Sequence, residues 1–99
     1  MEKLDKNEII KRISENFSYI KKNFGVVKIG LIGSYARDEQ NNDSDIDIIV
    51  ELIEPRFDYL AGLLLFLESK FDKKVDLLRK GRHSSDRFLK RIAKDVIYV

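Results

Sequence analysis

The sequence predicts an α/β fold, a small mixed β-sheet of about three strands flanked by helices. Three observations carry the prediction of layers. Apolar residues recur at helical spacing in two stretches, Ile9-Ile13-Phe17-Ile20-Phe24 and Leu60-Leu63-Leu64-Leu67-Phe71. Short β-branched runs lie between and after them, each bounded by glycine, proline or a polar turn. The length of 99 residues leaves room for one core, so residues 1–99 read as a single domain.

Each element follows from local chemistry. Asp5 followed by Glu8 resembles a capping box, and the stripe from Ile9 to Phe24 reads as one helix that Gly25 ends in a left-handed conformation. Residues 26–32, Val-Val-Lys-Ile-Gly-Leu-Ile, form a buried strand. Residues 33–44 are rich in glycine, asparagine and aspartate and form a loop, with one helical turn at 35–38. A second strand covers 45–52, where Asp45 and Asp47 alternate with Ile46 and Ile48, and Pro55 marks the turn beyond it. A helix follows over 58–71, then a short third strand over 74–78. After a loop at 81–85, Ser84 or Ser85 caps a last helix that carries Phe88, Leu89, Ile92 and Val96.

Composition excludes several classes. Apolar residues make up 43% and charged residues 36%, the balance of a globular chain and not of a disordered one. The longest apolar run, 63–67, is too short to cross a bilayer, and the first residues lack a hydrophobic signal segment, so a cytoplasmic protein without a membrane partner is expected. No cysteine and one histidine, His83, leave no thiolate or histidine-rich metal centre. A metal site here must use oxygen donors, which favours magnesium or manganese. The net charge of +2 is uneven: residues 1–69 carry 9 basic and 13 acidic side chains, residues 70–99 carry 10 and 4. The basic end suits a polyanionic ligand or an acidic partner, and it equally suits plain solvation of the last helix.

The informative segment is Gly33-Ser34-Tyr35-Ala36-Arg37 followed by Asp45-Ile46-Asp47. Alternate strand residues share a face, so Asp45 and Asp47 stand side by side at the start of a strand. Two adjacent carboxylates repel and lose hydration, which calls for a compensating divalent cation. If the first two strands pair antiparallel, Gly33 and Ser34 lie beside these aspartates. There Gly33 permits close approach of a phosphate, and Ser34 offers its hydroxyl and N–H groups. Asp76 interrupts the third strand, and its side chain completes a triad if that strand lies next to the second. Three carboxylates can hold two magnesium ions, which would offset a triphosphate and steady both oxygens of an in-line displacement. No lysine follows Gly33-Ser34, which excludes a Walker-type loop.

Gly-Ser, ten intervening residues and Asp-x-Asp resemble the signature of the DNA polymerase beta-like nucleotidyltransferases. The short chain and the wording Gly-Ser-Tyr-Ala-Arg resemble the MNT group, the minimal nucleotidyltransferases, many of which are antitoxins paired with a HEPN-domain toxin. The resemblance implies that Gly33 and Ser34 bind the triphosphate, that Asp45 and Asp47 hold both metals, and that Asp76 binds the metal that activates the acceptor hydroxyl. Arg37 stands where the family often has a basic residue and would clamp phosphate. Asp38 stands where many members have glycine. The resemblance further implies adenylyl transfer from magnesium ATP to a tyrosine of a HEPN ribonuclease toxin. A 99-residue chain has no second domain to seat a small acceptor, and no direct nucleic-acid binding is expected.

Other readings stand beside these. The chain would also serve as a masking antitoxin without catalysis, or as a transferase acting on a small molecule or an RNA end. Asp76 would also pair with Lys28 or Lys74. Arg37 would also serve as an ordinary surface residue. Glu39, Asp43 and Glu51 read as solvated and His83 as an exposed loop residue. Leu65 and Phe66 flank the second helical stripe, where they would be core or would meet a toxin or a second copy of the chain.

Overall fold

The computed structural model describes residues 4–81 and 85–99. His83 and the alternative cap Ser84 lie outside the described residues. In chain order the elements are α1 (Lys6–Glu15), α2 (Phe17–Phe24), β1 (Val26–Ile32), α3 (Gly33–Ala36), β2 (Ile46–Leu52), α4 (Phe57–Phe71), β3 (Val75–Arg79), α5 (Asp86–Ala93) and β4 (Ile97–Tyr98). The sheet is mixed, with strand order β3-β2-β1-β4. β2 and β4 run antiparallel to β1, and β3 runs parallel to β2.

The expected first helix is two. The Asp5 side chain caps α1 by accepting from the Glu8 N–H at 2.9 Å, as the capping pattern predicts. At Asn16 the backbone leaves the helical region, with φ −107° and ψ 7°. The Asn16 side-chain amide donates to the Arg12 carbonyl at 2.7 Å, taking an acceptor the helix itself would use, and the chain turns before α2. The apolar stripe survives the break because both pieces face the same sheet: Ile9, Ile13 and Ile20 are buried, and Phe17 and Phe24 pack at the rim. Gly25 ends α2 at φ 61°, where a β-carbon would strike the Tyr59 ring.

A fourth strand joins the expected three. Val96 leaves the last helix and leads into β4, which pairs with Gly30 and Leu31 of β1. Gly30 makes this pairing feasible, since a β-carbon there would come within 2.9 Å of both Tyr98 and Val96. Ser85 caps α5 through a bond from the Phe88 N–H at 3.1 Å. Among the described residues no helix is long and apolar enough to cross a membrane.

The registers divide the sheet into two faces. Ile29, Leu31, Ile46, Ile48, Val50 and Val75 share one face by alternation and strand pairing, and all are buried in one cluster with Ile9, Ile13, Ile20, Leu63, Leu67 and Phe71. Helices α1, α2 and α4 therefore cover this face. Lys28, Gly30, Ile32, Asp47, Ile49, Asp76 and Leu78 share the other face, on which α5 lies beside Ile49.

Leu65 and Phe66 differ in kind. Leu65 is 70% exposed, whereas Phe66 is half-buried and stacks on Tyr19 at 4.9 Å and against Phe24 at 5.8 Å. Phe66 therefore belongs to the packing between α2 and α4, and Leu65 does not. Phe66→Ser is expected to lower the unfolding free energy by about 2–3 kcal/mol, somewhat less than loss of a fully buried ring. Leu65→Ser should change it by less than about 0.5 kcal/mol in the same urea titration.

Candidate active site

The two registers that build the sheet also assemble the site. β1 ends at Ile32, which lies opposite Asp47 across the antiparallel pair, so the Gly33 turn sits beside the start of β2. Asp47 in turn lies opposite Asp76 across the parallel pair. Asp45 immediately precedes β2, one residue outside the expected strand, and by alternation shares the face of Asp47. The six candidates Gly33, Ser34, Arg37, Asp45, Asp47 and Asp76 thus gather at one end of the sheet, where β1 finishes and β2 and β3 begin.

Gly33 is required for this approach. Its φ is +76°, a region that disfavours a side chain, and a β-carbon would run into the Asp47 carboxylate, 3.0 Å from its carboxyl carbon. The chain then makes the single helical turn α3, starting two residues earlier than the composition implies. Ser34 is half-buried in that turn, and Tyr35 and Ala36 anchor it in the core. At Asp38 the backbone has φ 57°, the conformation glycine would take more easily, and the Asp38 carboxylate is tied to Lys6 at 2.9 Å.

Electrostatics mark Asp47 as the stressed member of the cluster. Its pKa is raised above the ordinary carboxylate value, first by burial, then by the charge of Asp76 and a side-chain hydrogen bond with it, then by Asp45; Arg37 acts in the opposite direction. Asp45 is held by Lys74 at 3.7 Å. The aspartates therefore associate two by two, 47 with 76 and 45 with its lysine, and among the described residues no three acidic or histidine side chains form a ready-made metal cage. Lys28 lies over the Tyr98 ring at 4.0 Å, so among the described residues neither lysine pairs with Asp76, which is exposed on the edge strand.

Arg37 is partly exposed and held by two carboxylates, Glu39 at 3.1 Å and Asp95 at 3.9 Å. Glu39 is therefore an ion-pair partner as well as a solvated residue. Glu51 likewise meets Lys80 at 3.8 Å. The Asp45–Lys74 contact follows from the parallel register, since Ile46 and Val75 are partners and the residues before them are neighbours. Asp95 carries no local signal, because only the return of the chain through β4 brings it to Arg37.

A small α/β unit with α1, α2 and α4 on one sheet face and acidic residues beside a glycine-serine turn on the other suits a nucleotidyl-transfer enzyme. The family model of the nucleotidyltransferase domain matches residues 6–99, and the chain belongs to that family. It is similar to protein adenylyltransferase MntA of Thermococcus cleftensis, with 34% identity over 100 residues and the full length of both chains covered. A Methanocaldococcus jannaschii protein assigned as a protein adenylyltransferase is 38% identical over 96 residues, covering 94% of this chain and 96% of the relative. Among solved structures, a chain assigned as a minimal nucleotidyltransferase superposes with a TM-score of 0.80 at 28% identity, covering 98% of each chain. A chain from a toxin–antitoxin crystallised with AMP-PNP superposes with a TM-score of 0.66 at 28% identity, covering 96% of this chain and 72% of that one.

The raised pKa of Asp47 fixes the sign of a pH effect. The folded chain binds its proton more tightly than the unfolded chain does, so the stabilising contribution is complete below the ordinary aspartate range and is lost as pH rises through the raised value. Asp47→Asn should therefore raise the urea midpoint at neutral pH in EDTA, and the difference from wild type should vanish in acid. Gly33→Ala should do the reverse, lowering stability by roughly 1–2 kcal/mol for the left-handed backbone alone.

Proposed function

We propose that this chain is the antitoxin of a toxin–antitoxin pair and that it transfers AMP from magnesium ATP to a tyrosine of a HEPN-domain ribonuclease toxin. The observation that carries the reading is the opposition of Asp47 and Asp76 across a parallel register, with Asp45 on the same face and a positive-φ glycine against the Asp47 carboxylate. Relatives of similar length named or assigned as protein adenylyltransferases, and the likeness to a chain of a toxin–antitoxin solved with AMP-PNP, support the acceptor class and the nucleotide. The HEPN partner rests on the resemblance of the Gly-Ser-Tyr-Ala-Arg and Asp-x-Asp motifs.

The donor set fits divalent cations. Asp45, Asp47 and Asp76 supply only carboxylate oxygens, the ligands of magnesium and manganese, and their mutual repulsion is what a cation would relieve. We assign these three residues to two magnesium ions, which when bound would neutralise charge on the triphosphate and lower the pKa of the acceptor hydroxyl. Gly33 lets the β- and γ-phosphates approach the backbone, and Ser34 donates to them through its hydroxyl and N–H groups. Arg37, already within electrostatic reach of Asp47, exchanges its carboxylate partners for a phosphate.

Asp76 faces solvent on the edge strand while Asp45 and Asp47 are half-buried, so the acceptor arrives on the Asp76 side. The tyrosine oxygen forms a bond to the α-phosphorus, the bond from that phosphorus to the β-phosphate oxygen breaks, and pyrophosphate leaves with the displaced charge. The phenol proton passes to solvent. A free tyrosine hydroxyl has a pKa of about 10, so positioning beside a cation is needed for attack at neutral pH.

Incubation with labelled ATP, magnesium and the cognate toxin is expected to place label covalently on the toxin. Asp45→Asn and Asp47→Asn should each reduce the transfer rate by at least about 100-fold, beyond the loss seen for outer-shell metal partners. Toxin neutralisation that survives both substitutions without label transfer would instead identify a masking antitoxin. Efficient modification of a free alcohol or an RNA end without any protein acceptor would overturn the choice of substrate.

A further inference from the structure

A cavity of about 290 Å³ lies between α5 and the open sheet face, walled by Ile49, Leu89, Ile92, Ala93, Val96 and Tyr98. It is an under-filled layer. Leu89 and Ile92 are half-buried and no residue of α5 is fully buried, while Ile49 beneath them is covered. Lys80, Asp86 and Lys90 line it as well, setting hydrogen-bond donors and an acceptor among apolar walls. Its volume is near the lower end of small-ligand sites, and its mixture of apolar walls with a few polar groups is what such sites share.

Its position relative to the aspartates decides what it would hold. Ile49 follows Asp47 by two residues on β2 and therefore shares its face, about 7 Å along the strand. The Gly33 turn lies on the other side of Asp47, because Ile32 pairs with Asp47 while Gly30 pairs with Ile49. Tyr98, which pairs with Gly30, forms the wall at the same level as Ile49. The glycine-serine turn, the carboxylates and the cavity thus lie in sequence along one face. A nucleoside triphosphate has the same order of parts: terminal phosphates, α-phosphate, then sugar and base.

We infer that the cavity beside α5 receives the nucleobase of the substrate nucleotide, with Tyr98 contacting the ring and Lys80, Asp86 and Lys90 meeting its polar edge. This rests on the transferase site proposed above and extends it, assigning nucleotide recognition to the C-terminal helix and strand. A flat heteroaromatic ring matches both the apolar walls and the mixed donors and acceptors. Ala93 is the position to probe, since it lines the cavity from a helix without buried residues.

Calorimetry with two probes separates the inference from the reading beneath it. Magnesium tripolyphosphate engages only the turn and the carboxylates, whereas magnesium AMP-PNP adds sugar and base. Wild type should bind AMP-PNP more tightly than tripolyphosphate. Ala93→Phe, which fills the cavity, should weaken AMP-PNP by at least about tenfold and leave tripolyphosphate unchanged. Ala93→Leu, a milder filling, should act in the same direction, and unchanged tripolyphosphate binding certifies that each variant is folded. If both variants bind AMP-PNP as wild type does, the base lies elsewhere and the inference fails. Loss of toxin binding with AMP-PNP affinity intact would also overturn it and assign the cavity to the protein partner. If wild type binds neither probe, the underlying transferase site fails and the inference falls with it.

Discussion

Asp47 is held between two neighbours that no unconstrained carboxylate would choose. The antiparallel register with β1 sets it against the Gly33 turn, and the parallel register with β3 sets it against Asp76. Burial and two acidic neighbours penalise its charge, and the rest of the chain must offset that penalty. The offset comes from the opposite face of the same strand, where Ile46, Ile48 and Val50 are fully buried. One seven-residue strand therefore carries the tightest core contacts on one side and the least comfortable charges on the other.

This division explains the asymmetry of the layers. Helices α1, α2 and α4 close the apolar face, and the first two remain one functional surface despite the break at Asn16. The open face is lined in part by α5. Its apolar residues are enough to keep α5 in place but not to collapse the space beneath it. Most of the excess basic charge lies just before α5, in residues 70–85, which carry six basic side chains against two acidic ones.

Much of this was legible in the chain itself. The paired aspartates, the glycine-serine turn and Asp76 announced themselves because strand alternation and a single strand pairing suffice to bring them together. The core stripe was legible for the same reason, since periodicity depends only on local geometry. The helix break at Asn16 was hidden because its cause is one side-chain bond to the Arg12 carbonyl, which an uninterrupted apolar stripe does not reveal. The strand β4 was hidden because its two residues gain stability only from pairing with Gly30 and Leu31, far away in sequence. That omission also concealed Asp95 as a partner of Arg37 and the cavity walled by Tyr98. What local pattern encodes was readable, and what depends on the return of the chain was not.

The proposed function requires Asp45, Asp47 and Asp76 to act together as a cation site beside the Gly33 turn. Paramagnetic broadening by manganese, added at substoichiometric concentration with AMP-PNP to isotopically labelled protein, tests it most directly. The account predicts that amide resonances of residues 33–34, 45–47 and 76 broaden first and together, and that Asp76→Asn reduces the effect throughout the group. Broadening centred on other acidic residues, such as Asp43 or Asp58, with residue 76 unaffected, would contradict it.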